Sequence, residues 1–334
     1  MRIYIDKPNL LSIIHSPRGD KYSDCIRMLK KNFTIFFTFA IDDIKTMNSN
    51  DKNDIMLWLS QMTTGIGLSD EDHVRWNCGF PSRPIDISTF KTDELSSVYC
   101  LSKECDPKLE AQANRGNLLI ACEGQEINAM SSLFFEDFQF TQHIFYEILS
   151  WDDLGKYTSP CTDIIIADPY LFSSPDLYQS NIYALIKVLT KTIKNSKVNI
   201  VIFTLKDNYD KNTKINFEPD WDTIYSKIRK CAEKHSSFNV TFVTANKDTL
   251  EEHDRTIFTN YKYFASGDTY NYFSSTGEKL TKGRNFHVHS LASKSNDKNA
   301  KTFIEDMQKI IDRIKEKNNE RLIKKDKISN FLKF

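Results

Sequence analysis

The sequence predicts a mixed α/β protein in two parts, and three observations carry that prediction. Between Asp163 and Thr244, apolar β-prone runs alternate with amphipathic helical segments. That order produces right-handed βαβ crossovers and a mainly parallel sheet. The 334 residues suffice for two cores or one large one. A composition 40% hydrophobic and 27% charged is that of an ordinary globular protein.

Each element has its own signal. Arg2–Asp6 reads as a strand, Tyr22–Asn32 as a helix, and Thr34–Ala40 as a run of aromatic and β-branched residues suited to a sheet. Asn53–Met62 has helical spacing, with Ile55, Leu59 and Met62 on one face. Gly65–Thr92 is rich in Gly, Pro, Ser and Asp and reads as irregular. Leu118–Cys122 reads as a short buried strand, and Met130–Trp151, dense in Phe, as core. Residues 1–155 are therefore expected to form an N-terminal α/β or α+β domain. Lys156–Pro160 is a polar joint.

After it, Asp163–Tyr170 is a buried strand stopped by Pro169, and Leu177, Ile182, Leu185, Ile186, Leu189 and Ile193 fall at helical spacing. Lys197–Leu205 is a second strand, and Lys206–Glu218 a polar loop. A helix with Trp221, Ile224, Tyr225 and Ile228 on one side leads to a third strand, Phe238–Thr244. His253–Tyr272 reads as a hairpin. The second domain is placed at 156–295, and a closing charged helix at 296–334 shows Phe303, Met307, Ile310, Ile311 and Ile314 on one face.

Charge and composition narrow the function classes. Net charge is zero, so no global field draws the chain to nucleic acid or membrane. From Gly277 onward, however, 15 Lys/Arg stand against 8 Asp/Glu, so this tail carries +7 and the remainder −7. No apolar run approaches a membrane span. The first residues lack the layout of a signal peptide. Seven irregularly spaced cysteines argue against a disulfide framework, which points to a reducing, cytoplasmic setting. Abundant Asn, Lys, Ile and Phe with few Gly and Pro is the mark of AT-rich coding, as in many bacteria.

One motif carries chemistry. His253-Asp-Arg-Thr-Ile-Phe-Thr-Asn260 fits H-x-R-x4-N and is followed by Gly267-Asp268-Thr269-Tyr270-Asn271. In a strand His253 and Arg255 share a face. Asn260 suits a tight turn, and a returning strand brings Gly267 and Asp268 opposite. An imidazole and a guanidinium beside a small polar shelf suit a phosphate.

The pattern resembles the phospholipase-D motif, H-x-K-x4-D with a glycine-led turn. It is most similar to the degenerate form in the C-terminal domain of MIT-domain proteins, which also has arginine at the lysine position. The resemblance spans Thr162 to about Ser293, roughly 130 residues, and includes Asp168-Pro169-Tyr170 at a strand end. It implies a phospholipase-D-like sheet with flanking helices. In active members the histidine attacks phosphorus, and a second motif comes from an internal repeat or a dimer partner. This chain has no second motif, and Asn260 stands where the family has aspartate.

The expected function is therefore binding of a phosphate or other anion, on nucleic acid or a phosphorylated ligand. The expected site is His253, Arg255, Asn260, Gly267 and Asp268, lined by Lys282, Arg284, His287 and His289. Lys262, Lys279, Lys282 and Arg284 are expected to make it electropositive. The alternatives are a homodimeric, metal-independent nuclease or phosphodiesterase using His253, and an interaction subunit docking a protein partner through its N-terminal domain. Bacterial antiviral systems use modules of this kind, a fold-level analogy for the anion-binding and interaction readings. No cofactor is expected.

Other candidates are weaker. His287 and His289 lie two apart but have no further metal ligand nearby in sequence. His73, Cys78, Cys100 and Cys105 sit at the loose limit of zinc spacing. Gly65-Ile66-Gly67 lacks the rest of a phosphate loop. Trp58, Trp76, Trp151 and Trp221 are too dispersed for a stacking platform.

Overall fold

The structure, a computed structural model, describes residues 1–63, 74–76, 97–100, 118–120, 124–135, 138–159, 161–191, 197–210, 215–231, 237–247, 249–250, 255–281 and 285–334. It divides into two units, Met1–Phe140 with Ser290–Asp297, and Thr141–His289 with Lys298–Phe334. No helix among the described residues is long and apolar enough to cross a membrane.

The first unit is a parallel sheet with helices. Strand β1 (Arg2–Ile5) buries Ile3, Tyr4 and Ile5, an unbroken run suited to a strand covered on both faces. Asp6 ends it and caps helix α1 (Lys7–Ile14), its Oδ1 accepting the Asn9 amide at 3.0 Å, with Pro8 in the first turn. Helix α2 (Asp20–Asn32) buries Tyr22, Cys25, Met28 and Leu29. After β2 (Thr34–Phe37) come the short α3 (Ile41–Lys45) and α4 (Ser49–Thr63). The buried stripe of α4 is Ile55, Trp58 and Met62, with Leu59 only half-buried. The larger indole takes the core position that the apolar spacing assigned to leucine.

Strands β3 (Val74–Arg75), β4 (Ser97–Cys100) and β5 (Leu118–Ile120) complete the sheet, followed by helix α5 (Glu126–Ser131). The order is β3-β2-β1-β4-β5, and every pairing is parallel. Between the α/β and α+β expectations, this unit is α/β.

In the second unit the strands are β6 (Thr141–His143), β7 (Asp163–Ala167), β8 (Lys197–Leu205), β9 (Asn208–Asp210) and β10 (Ile215–Phe217). Then come β11 (Ser237–Ala245), β12 (Arg255–Thr259), β13 (Lys262–Ser266), β14 (Phe286–Ser290) and β15 (Ile323–Lys325). Helices α6 (Ala184–Lys191) and α7 (Trp221–Cys231) connect the parallel strands, and α8 (Lys294–Glu316) follows β14.

The main sheet runs β15-β11-β8-β7-β12-β13-β14-β6. β7, β8 and β11 are parallel, whereas β12 lies antiparallel to β7, and β13 folds back on β12. The alternation of strands and helices, then a hairpin, follows the order of patterns in the sequence. Two aromatic clusters fill the core. Trp151 packs against Tyr272 and Phe273, and Phe172 against Trp221 and Phe242.

Three segments differ from expectation. The boundary expected at residue 155 falls within the second unit, because β6 pairs with β14, His143 opposite His287. The segment 206–218, expected as a loop, contains the β9/β10 hairpin. The closing helix ends at Glu316, and the chain beyond it becomes a strap. β15 adds to β11 antiparallel. Asp326 accepts the Val240 amide at 2.8 Å, and Ser329 and Asn330 reach the buried Asp163 carboxylate.

Candidate phosphate site

The site is organised by Asp168, just beyond the carboxyl end of β7. Its side chain is fully buried. One oxygen accepts the Tyr170 amide at 2.9 Å; the other accepts the Thr269 hydroxyl at 2.7 Å and the Tyr270 amide at 2.8 Å. Burial pushes this carboxyl above its ordinary value, opposed by those bonds and by the charge of Arg255. Asp168 thus ties the strand end to the glycine-led segment 267–271. Tyr270 helps, donating its hydroxyl to the carbonyls of Arg255 and Phe264.

Arg255 opens β12 and is half-buried. Its Nη1 donates to the Gly267 carbonyl at 3.0 Å, and its guanidinium lies 5.8 Å from the centre of the Tyr170 ring. Its Nε is shielded from solvent and has no acceptor. No carboxylate among the described residues makes an ion pair with it, although its charge acts on the buried Asp168 carboxyl. Asn271 donates its Nδ2 to the Tyr170 carbonyl at 3.1 Å. That bond orients the amide, and its Oδ1 is buried without a donor. One donor and one acceptor thus lack partners around the same tyrosine.

Of the residues expected at the site, Arg255, Gly267 and Asp268 come together. Gly267 is tight because a Cβ there would lie 3.3 Å from the Asn285 Cβ, and its amide donates to the Asn285 carbonyl at 2.9 Å. The close approach is therefore to neighbouring chain. Asp268 accepts the Thr281 hydroxyl. His253, Lys282 and Arg284 lie outside the described residues.

Asn260 is elsewhere. It is buried at the far end of β12, where its Oδ1 accepts the amides of Thr162 at 2.9 Å and Asp163 at 3.2 Å. Five residues of strand, at about 3.3 Å each, separate it from Arg255 by roughly 16 Å. It fastens the start of β7 to the hairpin turn and takes no part in the Arg255 cluster.

His287 and His289 are also elsewhere. Arg255 pairs with Ser266 and Phe258 with Tyr263, so Arg255 and Tyr263 face opposite sides of the sheet. His289 stacks on Tyr263, 4.4 Å between ring centres and 12° between planes, and His287 lies beside it. The two histidines therefore line the face away from Arg255. Burial and the neighbouring His287 push His289 down to about 4. His287 is lowered by burial and by His143, its cross-strand partner.

Two of the four expected cations are committed internally. Lys262 is 3% exposed, and burial lowers it to about 8. Lys279 donates to the carbonyls of Phe145 and Ile148 and lies 3.8 Å from the centre of the Phe145 ring. Of the loose zinc set, His73, Cys78 and Cys105 lie outside the described residues, as does Gly65-Ile66-Gly67. Cys100 is buried in β4, its thiol pushed up by burial and by the nearby Glu126 and Asp6 charges.

Asp168, Tyr170 and Asn271 were not among the expected site residues. The Asp-Pro step after an apolar strand is the signal that marks the first two. Comparison with known proteins adds no assignment. No family model, curated protein or solved structure matches the chain.

Proposed function

We propose that the second unit is a phospholipase-D-like module that binds a phosphate or similar oxyanion through Arg255. The observation that carries this reading is the state of the guanidinium. It is fixed by one bond to Gly267 and bordered by Tyr170, yet its charge meets no ion pair among the described residues, and its buried Nε lacks an acceptor. The guanidinium keeps further Nη–H donors beyond the one spent on Gly267, and charged donors of this kind suit phosphate oxygens. The order of strands, helices and hairpin supports the family reading, as does the placement of Asp168 and Gly267 beside Arg255.

The test is binding of a 5′-phosphorylated oligonucleotide by fluorescence anisotropy over a salt series. Arg255→Ala should weaken binding about tenfold or more, with Arg255→Lys between it and the unmodified protein. Affinity should fall as salt rises. Unchanged affinity in Arg255→Ala would refute the proposal. Metal-independent cleavage abolished by His253→Ala would instead favour the phosphodiesterase alternative.

A further inference from the structure

The face of the main sheet away from Arg255 gathers imidazoles on its edge pair, β14 and β6. His287 lies directly opposite His143 in that antiparallel pair, and His289 opposite Thr141. Directly opposed residues share a face, as do residues two apart along a strand. The fold thus adds a third imidazole, from a distant strand, to the two that the sequence places together. His143 is exposed and His287 half-buried, so solutes reach the pair. Their ring centres are 4.8 Å apart, with 49° between planes.

That separation is the one a shared ion needs. An imidazole nitrogen binds zinc at about 2.0–2.1 Å, which puts the ring centre about 3.2 Å from the ion. Two rings on one ion then have centres about 4.5 Å apart at a right angle and about 5.2 Å apart at the tetrahedral angle. The observed distance falls between these values, so chelation requires no change in strand spacing. His289 stands outside the pair. Its Nδ1 shares a hydrogen bond with the Thr141 hydroxyl at 3.0 Å, its ring stacks flat on Tyr263, and its centre is 5.9 Å from that of His287. Among the described residues no three metal-ligating side chains converge.

We propose that His143 and His287 chelate one late divalent transition ion (zinc, nickel or copper), and that the ion clips edge strand β6 onto β14. Imidazole nitrogen selects such ions, whereas magnesium and calcium prefer oxygen ligands. Water fills the remaining coordination positions. The clip has a mechanical reason. β6 is three residues long, pairs with β14 alone and ends the sheet. An ion shared by the two strands adds a cross-link that so few backbone bonds do not supply. Two opposed imidazoles give no such link as cations, because like charges directly across a strand pair repel. The site is independent of the anion reading, which concerns the opposite face.

The experiment titrates zinc, nickel and copper(II) into the chelator-treated full chain, with magnesium as the oxygen-preferring control. Zinc at saturation should shift the His143 and His287 ring resonances together in nitrogen-15 spectra and slow hydrogen exchange in β6; this arm needs no variant. By calorimetry copper should bind more tightly than zinc or nickel, and magnesium should not bind at the pair. Loss of a group that merely supports a ligand costs about 10–100-fold in metal affinity. His143→Ala and His287→Ala should therefore each weaken zinc binding at least about tenfold, whereas His289→Gln and Arg255→Ala should leave it unchanged. Ring resonances of the pair that stay in place at saturating zinc, or zinc affinity unchanged in both alanine variants, would overturn the proposal. So would magnesium binding as tightly as zinc, or a loss in His289→Gln as large as in His287→Ala, which would make His289 a ligand. None of these outcomes bears on phosphate binding through Arg255, so the two readings fail separately.

Discussion

Replacing Asp168 with alanine should loosen the segment that holds Asn271 without unfolding the sheet. The carboxylate accepts three bonds, two of them from backbone amides. A buried donor left without an acceptor costs about 1–3 kcal/mol. The Thr269 hydroxyl can turn away, whereas the amides of Tyr170 and Tyr270 cannot. Part of their loss is offset, since alanine also removes a buried carboxyl that was costly to desolvate. The net expectation is a loss of about 3 kcal/mol, and less for Asp168→Asn, whose amide oxygen still accepts.

The pH dependence has a definite sign. Burial holds the folded carboxyl above its ordinary 3.8, so its titration stabilises the fold fully below pH 3.8. That contribution is lost as pH rises through the folded value. The unmodified protein should therefore gain stability relative to Asp168→Asn as the solution is acidified toward pH 3.8. Urea midpoints measure the difference, and hydrogen exchange at the Tyr170 and Tyr270 amides localises it. If Asp168→Ala leaves both amides as protected as before, the account of how this site is held together is refuted.

Three further outcomes follow from the same structure. Asn260→Ala should cost about 1–3 kcal/mol, through the unpaired Thr162 and Asp163 amides, with anion affinity unchanged; a fall in affinity at constant stability would place Asn260 back at the site. Asp163→Ala should release the C-terminal strap, because its carboxylate accepts from Asn199, Ser329 and Asn330. Limited proteolysis near residues 326–334 should then accelerate, and an unchanged cleavage pattern would count against that clamp. His289, lowered to about 4, should withdraw stability as pH falls from about 6.5 through 4. The loss should be about 1–2 kcal/mol after allowing for solvent screening. His289→Gln should flatten that part of the acid profile, and a profile identical to that of the unmodified protein would contradict it.

The readable parts of the chain are those where local pattern and tertiary environment agree. β7, β8 and β11 are buried on both faces, so Ile164–Ile166, Ile200–Phe203 and Phe242–Val243 leave continuous apolar runs in the sequence. β6, with Thr141, Gln142 and His143, is a polar edge strand defined by its pairing to β14; no apolar pattern announces it. Ser97-Val-Tyr-Cys100 is likewise short, and its place in the sheet is set by pairing with β1 and β5.

At the site, motif spacing located Arg255 and Gly267 together because a hairpin must bring them together. The same spacing placed Asn260 with them, although a five-residue strand carries it to the other end. The shared face of His287 and His289 follows from a two-residue period. Which face it is depends on stacking against Tyr263 in the neighbouring strand β13, and no local signal encodes that. Asp168 was legible as the end of a strand. Its role as the fastener of a distant loop depends on contacts a hundred residues away.

The most direct test observes the Arg255 Nε–H itself. In nitrogen-15 spectra of the full chain at low salt, inorganic phosphate should shift the Arg255 Nε resonance in a saturable manner. That resonance is assigned by its absence in Arg255→Lys, and added salt should reverse the shift. An Arg255 resonance that stays in place at saturating phosphate would contradict the claim that this guanidinium binds an oxyanion.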